Sequence, residues 1–433
     1  MYVLTEMKKM KKSVLLFTLF TVLCLSVSVA SAQDEPVTLR LWAHQEPNFN
    51  TGTQALIDDY TAEHPNVTIT METFVYDLFI QTLQTALPAG DNADIMALFG
   101  SWTCSYADRL APMPEGLVDT SLFYDAAIGG YICDDQVYGL PQEFNMEYGT
   151  VLVNPARFEA AGLTYPPEWE SYDDLVSDAA ALAVTADDGT MTVAGYHFTN
   201  ADAIVFGFLA GILQNGGSYW NEDMTAFTFN TDAARTTLNE MIGLVEAGAI
   251  DPVLFNDAAN WGGNAFFTDQ AAITLIGPWA VAFGLNDFPD FGDFGYVALP
   301  PFAGSEPLFA ADSGWGLTVA SNSPSVDVAW DFVAFAAANA DNALSWNITS
   351  GTIPALREVV ENEAYSAPLL ESLPWLEANL PLLQYGSYIG EMPDRDLVFY
   401  DIIYPYILDT LQGLMSVDEA LTFIEEDANA TFD

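Results

Sequence analysis

Apolar and polar residues alternate along two short segments near the start of the chain, residues 37–42 and 67–74. Such alternation places successive side chains on opposite faces, so both segments are predicted to be β-strands. Between them, apolar residues recur every three or four positions. This spacing predicts a helix that Asn50 or Thr51 caps and His64 ends. The order strand, helix, strand is typical of parallel pairing in an α/β fold.

The same succession continues along the chain. A helix through Leu87 leads to a buried strand at residues 93–100. Further strands are predicted at residues 271–276 and 314–320. Further helices are predicted after a cap at Ser171, at residues 232–246 and 325–338, and over most of the last hundred residues. Because no linker separates two continuous domains, we expect two α/β lobes between which the chain crosses more than once.

Residues 1–32 have the pattern of an export signal. Lys8, Lys9, Lys11 and Lys12 precede an apolar run that ends in the small-residue sequence Ala-Ser-Ala at residues 30–32. A bulky leucine directly precedes the cysteine of this segment, which makes a lipidated cysteine a poor interpretation. We therefore predict a secreted protein that is soluble in the periplasm or another extracytoplasmic space after cleavage near Ala32.

The mature chain of 401 residues is strongly acidic. All four lysines lie in the signal, so six arginines face 59 carboxylates and the formal charge is −53. Nucleic acid and anionic membranes are excluded as partners by such a surface. High salt or low pH outside the cell would each accommodate this charge, and composition does not separate them. Phosphate-loop and Schiff-base chemistry are excluded because both need a lysine.

Two cysteines, Cys104 and Cys133, remain after cleavage. An even pair in an exported chain more often forms a disulfide than a catalytic site. We therefore predict a bond between them, which would contribute about 3–4 kcal/mol to stability in the chain-entropy treatment. No cofactor and no metal are predicted.

A series of short motifs resembles those of the large extracellular solute-binding proteins of ABC importers, the group typified by maltodextrin-binding proteins. The motifs lie at residues 41–44, 57–67, 86–95, 138–141, 153–162, 166–170, 215–217, 266–272, 277–279 and 351–355. Relatives usually carry Tyr-Asn-Lys where this chain has Val153, Asn154 and Pro155, and their frequent surface lysines are absent. The order and spacing, more than any one motif, carry the resemblance.

The resemblance implies a two-lobe α/β fold of the type II periplasmic-binding-protein class, with a hinge and a ligand cleft between the lobes. It places residues 33–142 and 294–334 in an N-terminal lobe and residues 143–293 and 335–433 in a C-terminal lobe. Hinge closure would trap the ligand and present it to the permease subunits. The implied protein is a monomer without catalytic activity.

Tryptophans are the first candidates for ligand contact. Trp42, Trp102 and Trp279 follow predicted strands, and the resemblance places all three in the cleft. Flat aromatic rings suit the C–H face of a sugar, while carboxylates and amides suit its hydroxyl rim. The predicted ligand is therefore a neutral sugar or oligosaccharide.

Other aromatic residues allow two interpretations. Trp220, Trp261 and Trp315 lie in turn-rich segments, where core packing and cleft lining are both consistent with the pattern. Tyr400 aligns with a ligand-stacking aromatic of the family if no insertion intervenes. The remaining tryptophans occupy helical contexts and are predicted to be core, namely Trp169, Trp330, Trp346 and Trp375.

The polar candidates come from the first crossing segment and from loops. Relatives place ligand acceptors in the crossing segment, where this chain has Glu143, Asn145 and Glu147. The loop candidates are His44, Ser101 and Asp312. By contrast, His64 is predicted to end a helix and His197 to be structural.

Two further functions stay open. Aromatic rings with carboxylates also bind cations, so a polyamine or another cationic solute is the alternative ligand. A secreted glycoside-active enzyme would need two carboxylates across a glycosidic bond, and carboxylates are abundant here. An anionic ligand is not expected because arginines are so few.

Overall fold

The computed structural model describes residues 35–254, 262–302 and 305–432, and the predicted export signal lies outside these residues. The strands are β1 (Val37–His44), β2 (Val67–Phe74), β3 (Ile95–Phe99), β4 (Ile132–Cys133), β5 (Gln136–Val137), β6 (Gly139–Pro141), β7 (Thr150–Val153), β8 (Val184–Thr185), β9 (Met191–His197), β10 (Ala271–Leu275), β11 (Gly295–Ala298), β12 (Phe309–Ala311), β13 (Trp315–Val319) and β14 (Gly386–Tyr388).

Helices connect and cover the strands. The α-helices are α1 (Pro47–Glu63), α2 (Tyr76–Ala89), α3 (Gly100–Thr103), α4 (Asp125–Ile128), α5 (Pro155–Ala161), α6 (Tyr172–Leu182), α7 (Ala201–Gln214), α8 (Asp232–Glu246), α9 (Gly262–Phe267), α10 (Trp279–Asp287), α11 (Val326–Ala338), α12 (Ala340–Ser350), α13 (Arg357–Glu361), α14 (Glu363–Ser372), α15 (Tyr404–Leu411) and α16 (Val417–Asn429). Short 3₁₀ turns occupy Cys104–Arg109, Thr120–Leu122, Gly129–Tyr131, Pro374–Ala378, Leu380–Tyr385 and Ala430–Phe432, and a π-helix occupies Leu397–Ile403.

Two five-stranded sheets form the framework. The first has the order β2-β1-β3-β13-β6, in which β1 pairs in parallel with β2 and β3. The second has the order β11-β7-β10-β9-β8, in which β10 and β9 are parallel and the other pairs are antiparallel. Helices interspersed between parallel strands confirm the predicted α/β class.

The chain crosses between the sheets more than once. It passes from β6 in the first sheet to β7 in the second and returns from β11 to β13. The predicted boundary at residue 294 lies too early, because β11 pairs with β7 of the second sheet. The predicted boundary at residue 335 is also too early, since α12 packs on α1 beside the first sheet, with the Trp346 indole Nε1 donating to Thr53 Oγ1 at 3.2 Å.

Local sequence explains most of the element ends. The helix α1 begins at Pro47, earlier than predicted, because Glu46 caps it by accepting from the Asn48 amide. Its end at His64 agrees with the prediction. In α6, Ser171 and Asp174 form a capping box. The strand β10 stops just before Gly277 and Pro278, as its sequence predicted.

The predicted disulfide is present, with the sulfur atoms of Cys104 and Cys133 2.09 Å apart. It ties the segment that follows α3 to the β4–β5 hairpin. Within residues 35–254, 262–302 and 305–432, the helices are all too short or too polar to cross a lipid bilayer.

Candidate functional site

A cavity of about 350 Å³ lies between the ends of the two sheets. Its lining comes from both sheets and from the first crossing segment: His44, Gln45, Glu46, Phe49, Tyr76, Phe99, Trp102, Glu143, Asn145, Glu147, Asp202, Trp279, Trp315, Arg395 and Tyr400. The volume falls in the range of cavities that enclose small molecules.

Aromatic rings at one edge of the first sheet and on the helices α2 and α3 that follow its strands form one wall, which we call the ring wall. His44, the last residue of β1, stacks on Trp315 with ring centroids 4.1 Å apart. Trp102 meets Trp315 edge-on at 5.5 Å, and Phe99 does so at 5.3 Å. Tyr76 lies 6.2 Å from Trp102. Each ring is therefore held by other rings, and burial of His44 lowers its pKa to about 4, so this imidazole is neutral at physiological pH.

The first crossing segment supplies buried polar groups between the walls. One Glu143 carboxylate oxygen accepts from the backbone N–H of Trp315 at 3.1 Å. Glu147 accepts twice, from the Trp279 indole Nε1 at 2.7 Å and from the Gly277 N–H at 3.1 Å. Asn145 lies between these glutamates and is also buried. The segment thus contacts residues that follow strands of both sheets.

Trp279 begins the second wall, which we call the clamped wall. The sequence Gly277-Pro278 ends the segment after β10, and the indole folds back over Gly277. A Cβ atom at Gly277 would lie 2.6 Å from two atoms of the Trp279 ring, so any larger residue there must displace the indole. The turn therefore places the indole against the cavity.

Arg395 and Tyr400 complete the clamped wall. The Arg395 guanidinium forms a buried ion pair with Asp312 and also donates to Asp396 at 3.0 Å. Its plane lies over the Tyr400 ring at 4.9 Å from the centroid. The Tyr400 hydroxyl donates to Asp202 at 2.9 Å. The cationic group in the cavity is thus matched by carboxylates.

Burial shifts the titration of the central carboxyl groups. Desolvation raises the pKa of Glu143 to about 7. It also raises the pKa of Glu147 to about 8, with a further contribution from the charge of Asp202, against the two N–H donors. Desolvation outweighs the Arg395 charge and raises the pKa of Asp312 to about 6. The cavity can therefore present neutral carboxyl groups near neutral pH.

Eight of the predicted ligand-contact residues line the cavity: His44, Trp102, Glu143, Asn145, Glu147, Trp279, Trp315 and Tyr400. Trp261 lies outside the described residues. For Trp315 both interpretations hold, because the ring is buried in the core and also lines the cavity.

The other predicted contacts lie elsewhere. Trp42 is not at the end of β1, because the strand continues to His44, and its indole donates to Glu72 at 2.8 Å. Trp220 stacks on Phe227 at 4.3 Å and donates to the Ile389 carbonyl, so it belongs to the core. Asp312 is fully buried against Arg395.

Ser101 lines a neighbouring cavity of about 190 Å³, which Trp102 and Arg395 also line. Of the tryptophans predicted as core, Trp330 and Trp346 are fully buried, whereas Trp169 and Trp375 are half-buried. His197 is buried within β9, in agreement with a structural role.

Several lining residues were not predicted: Gln45, Glu46, Phe49, Tyr76, Phe99, Asp202 and Arg395. Gln45 and Glu46 directly follow the carboxyl end of β1, so the true strand end would have indicated them. Asp202 lies in the first turn of α7, a helix that is apolar on nearly every side and therefore lacks a periodic signal. No local pattern marks Arg395.

Two α/β layers that flank a cavity lined from both sides define a two-lobe binding protein. The chain belongs to the family of bacterial extracellular solute-binding proteins, whose model matches residues 44–343.

Comparisons with individual proteins agree with this family. A lactose-binding protein of Rhizobium radiobacter is 23% identical over 90% of this chain and 92% of its own length. A putative binding protein of Brucella abortus is 28% identical over 28% of this chain, and the match spans only 30% of that relative.

A cyclic alpha-maltosyl-1,6-maltose binding protein from Arthrobacter globiformis has the same fold, with a TM-score of 0.76 and 22% identity over 92% of this chain and 99% of that one. The predicted two-lobe fold of the maltodextrin-binding type is confirmed by this likeness.

Proposed function

We propose that this protein captures a sugar or short oligosaccharide in the cavity and delivers it to the permease of an ABC importer. The observation that carries the proposal is that aromatic rings and hydrogen-bonding side chains line the same cavity. Trp102, Trp315 and Trp279 offer rings, while Asn145 and Asp202 offer an amide and a carboxylate. A sugar needs both surfaces, because its C–H face is apolar and its rim is polar.

Relatives support this ligand class. The names of two curated relatives specify lactose and maltotriose, and that of the structural relative specifies a cyclic maltosyl-maltose. The cavity volume of about 350 Å³ suits a ligand of one to a few sugar units rather than a long chain.

Delivery would use the crossing segments as a hinge. We propose lobes that correspond to the two sheets, a cleft that closes on the ligand, and export by the predicted signal of residues 1–32. A monomer in the periplasm or outside the cell fits this role. No catalytic step is proposed.

A cationic ligand is the second candidate, because carboxyl groups of Glu143, Glu147 and Asp202 share the cavity with aromatic rings. The two ligand classes differ in how their affinity should change with pH. A cation would favour ionised Glu143 and Glu147, so its affinity would rise between pH 5 and 8. A neutral sugar would show a much smaller dependence.

A thermal-shift screen of the mature protein followed by titration calorimetry tests the proposal. The panel contains lactose, maltotriose, maltodextrins, spermidine and putrescine at low and high salt. We expect a shift with a sugar class, since ligand at a hundred times its Kd adds about 2.7 kcal/mol to stability. A shift with polyamines alone, or sustained release of reducing sugar, would contradict the proposal.

Trp102→Ala tests whether the cavity is the site. It should abolish or strongly weaken the sugar response because it removes a ring of the ring wall. Trp169→Ala is the matched control, since this indole donates to Asp178 of α6 and does not line the cavity. Equal loss of affinity in both variants would place the ligand elsewhere.

A further inference from the structure

The glutamates of the crossing segment differ from Asn145 in what their side chains bind. Both carboxylate oxygens of Glu147 are engaged by protein donors, Oε1 by the Trp279 indole and Oε2 by the Gly277 N–H. The side-chain amide of Asn145, by contrast, makes no hydrogen bond to the described part of the chain, and it lines the same cavity. Glu147 and Asn145 therefore have different roles, although they lie two residues apart in the same segment.

The turn before Trp279 is held on two sides. The Gly277 N–H donates to Glu147, and the Gly277 carbonyl accepts from the Tyr296 hydroxyl at 3.0 Å. The indole then packs so closely on Gly277 that a Cβ there would meet its Cδ1 and Nε1 atoms at 2.6 Å. Once the turn is fixed, the remaining freedom is rotation of the ring, and the 2.7 Å bond to Glu147 restricts it.

We propose that Glu147 is a positioning residue that fixes the Trp279 ring in the cavity wall, and that its neighbour Asn145, rather than Glu147, contacts the ligand. The ligand contact of Asn145 rests on the proposed function, whereas the positioning of Trp279 by Glu147 does not. This assignment revises the expectation that all three polar residues of the segment accept from the ligand.

The first test needs no ligand. The emission of Trp279 is isolated as the difference between the wild type and Trp279→Phe, and the same subtraction is made in a Glu147→Gln background. A glutamine keeps the size of the side chain but points an amide N–H₂ at one of the two donors. We expect a red-shifted, more acrylamide-accessible Trp279 emission in Glu147→Gln and an unchanged one in Asn145→Ala. An unchanged emission in Glu147→Gln would overturn the assignment.

The second test is a double-mutant cycle for affinity, with maltotriose as the probe. Glu147→Gln should raise the Kd about tenfold, because its amide N–H₂ cannot accept a hydrogen bond, so one of the two bonds that hold the turn and the ring is lost. In the Trp279→Phe background the same substitution should change the Kd by less than about twofold, since no indole is left to position. In an Asn145→Ala background it should keep its full effect. Additivity with Trp279→Phe would instead show direct contact between Glu147 and the ligand.

The two proposals fail in different ways. If the wild type binds no sugar, the proposed ligand class is wrong, while the Trp279 emission still decides the role of Glu147. Far-UV circular dichroism and the melting temperature of each variant show whether it is folded. If Glu147→Gln does not fold, Trp279→Phe and Trp279→His are compared instead. The histidine ring can donate to Glu147 and should restore part of the affinity lost in Trp279→Phe, and failure to do so would count against positioning.

Discussion

The ring wall and the clamped wall face the same cavity but are held by different forces. In the ring wall, His44 and Trp102 both contact Trp315, and Trp315 is also part of β13. In the clamped wall, Trp279 and Tyr400 each donate a hydrogen bond to an acidic side chain, and the Arg395 guanidinium also lies over the Tyr400 ring. In the ring wall the residues that contact the ligand also pack in the core, so affinity and stability depend on the same side chains. In the clamped wall they depend on different contacts.

This difference has a consequence for substitutions. A ring removed from the ring wall leaves a void among its neighbours, so stability and affinity should fall together. A bond removed from the clamped wall frees a ring at the surface of the core, so affinity should fall more than stability. An exception within the clamped wall is the buried pair of Arg395 and Asp312.

The largest expected effect is on that pair. Arg395→Ala should lower the free energy of unfolding by about 3–5 kcal/mol, because it leaves the Asp312 carboxylate buried without its cation. Urea denaturation measures the change. The control is Arg109→Ala, whose exposed pair with Asp108 should contribute under about 1 kcal/mol. Equal effects for the two arginines would show that water reaches Asp312.

The second prediction compares one tryptophan from each wall. Trp315→Ala should cost about 3 kcal/mol or more of stability and also weaken ligand binding, because the ring is packed against three others. Trp279→Ala should weaken binding as strongly while costing less stability, about 2 kcal/mol, because the half-buried ring loses one bond to a buried carboxylate and only part of its packing on the neighbouring cluster. Denaturation and calorimetry on both variants measure the split. If Trp279→Ala costs as much stability as Trp315→Ala, Trp279 is a core plug and the two walls do not differ.

Strand ends in the sequence indicate the ring wall, whose His44, Trp102 and Trp315 were predicted while Tyr76 and Phe99 were not. Its residues end or follow strands β1, β2 and β3 or begin β13. The error at Trp42 arose because the alternating pattern was ended two residues before the strand ends. The fold itself was predictable for a similar reason, since strand and helix periods are local features of the chain.

The clamped wall depends on contacts that local pattern does not contain. Arg395 and its partner Asp312 are 83 residues apart, and Tyr400 and Asp202 are 198 residues apart. Only Trp279 had a local signal, the abrupt end of β10 at Gly277 and Pro278. The boundaries between lobes were also misplaced for a long-range reason, because the pairing of β11 with β7 joins segments far apart in the chain.

The third prediction separates the walls by pH. Glu143, bonded to the ring wall, titrates near 4.5 in the unfolded chain and at about 7 when folded, and Glu147 shifts from 4.5 to about 8. Between these values the folded state holds more protons, so the unliganded protein should lose stability as pH rises from about 5 to about 8, by up to about 1.4 kcal/mol per pH unit for each group. Below about pH 4.5 this penalty is absent.

Glutamine substitutions show which glutamate causes the pH dependence of stability. Glu143→Gln should flatten the stability profile below about pH 7, and Glu147→Gln should flatten it up to about pH 8. Urea denaturation at constant ionic strength measures both profiles. A wild-type stability that stays constant from pH 5 to 8 would mean that both carboxyls are hydrated in solution.

The smallest expected change in stability comes from a single methyl group. Gly277→Ala would place a Cβ 2.6 Å from the Trp279 ring and 2.9 Å from the Met146 carbonyl, so the indole must turn away from Glu147. Ligand affinity should fall about tenfold, the amount expected for Glu147→Gln, while stability falls by only about 1 kcal/mol. Gly243→Ala is the control, because a Cβ there would project from α8 into open space and should stabilise that helix by about 0.5–1 kcal/mol. A Gly277→Ala variant with unchanged affinity and a large loss of stability would show that the turn serves the core, and the distinction between the walls would then fail at its best-defined residue.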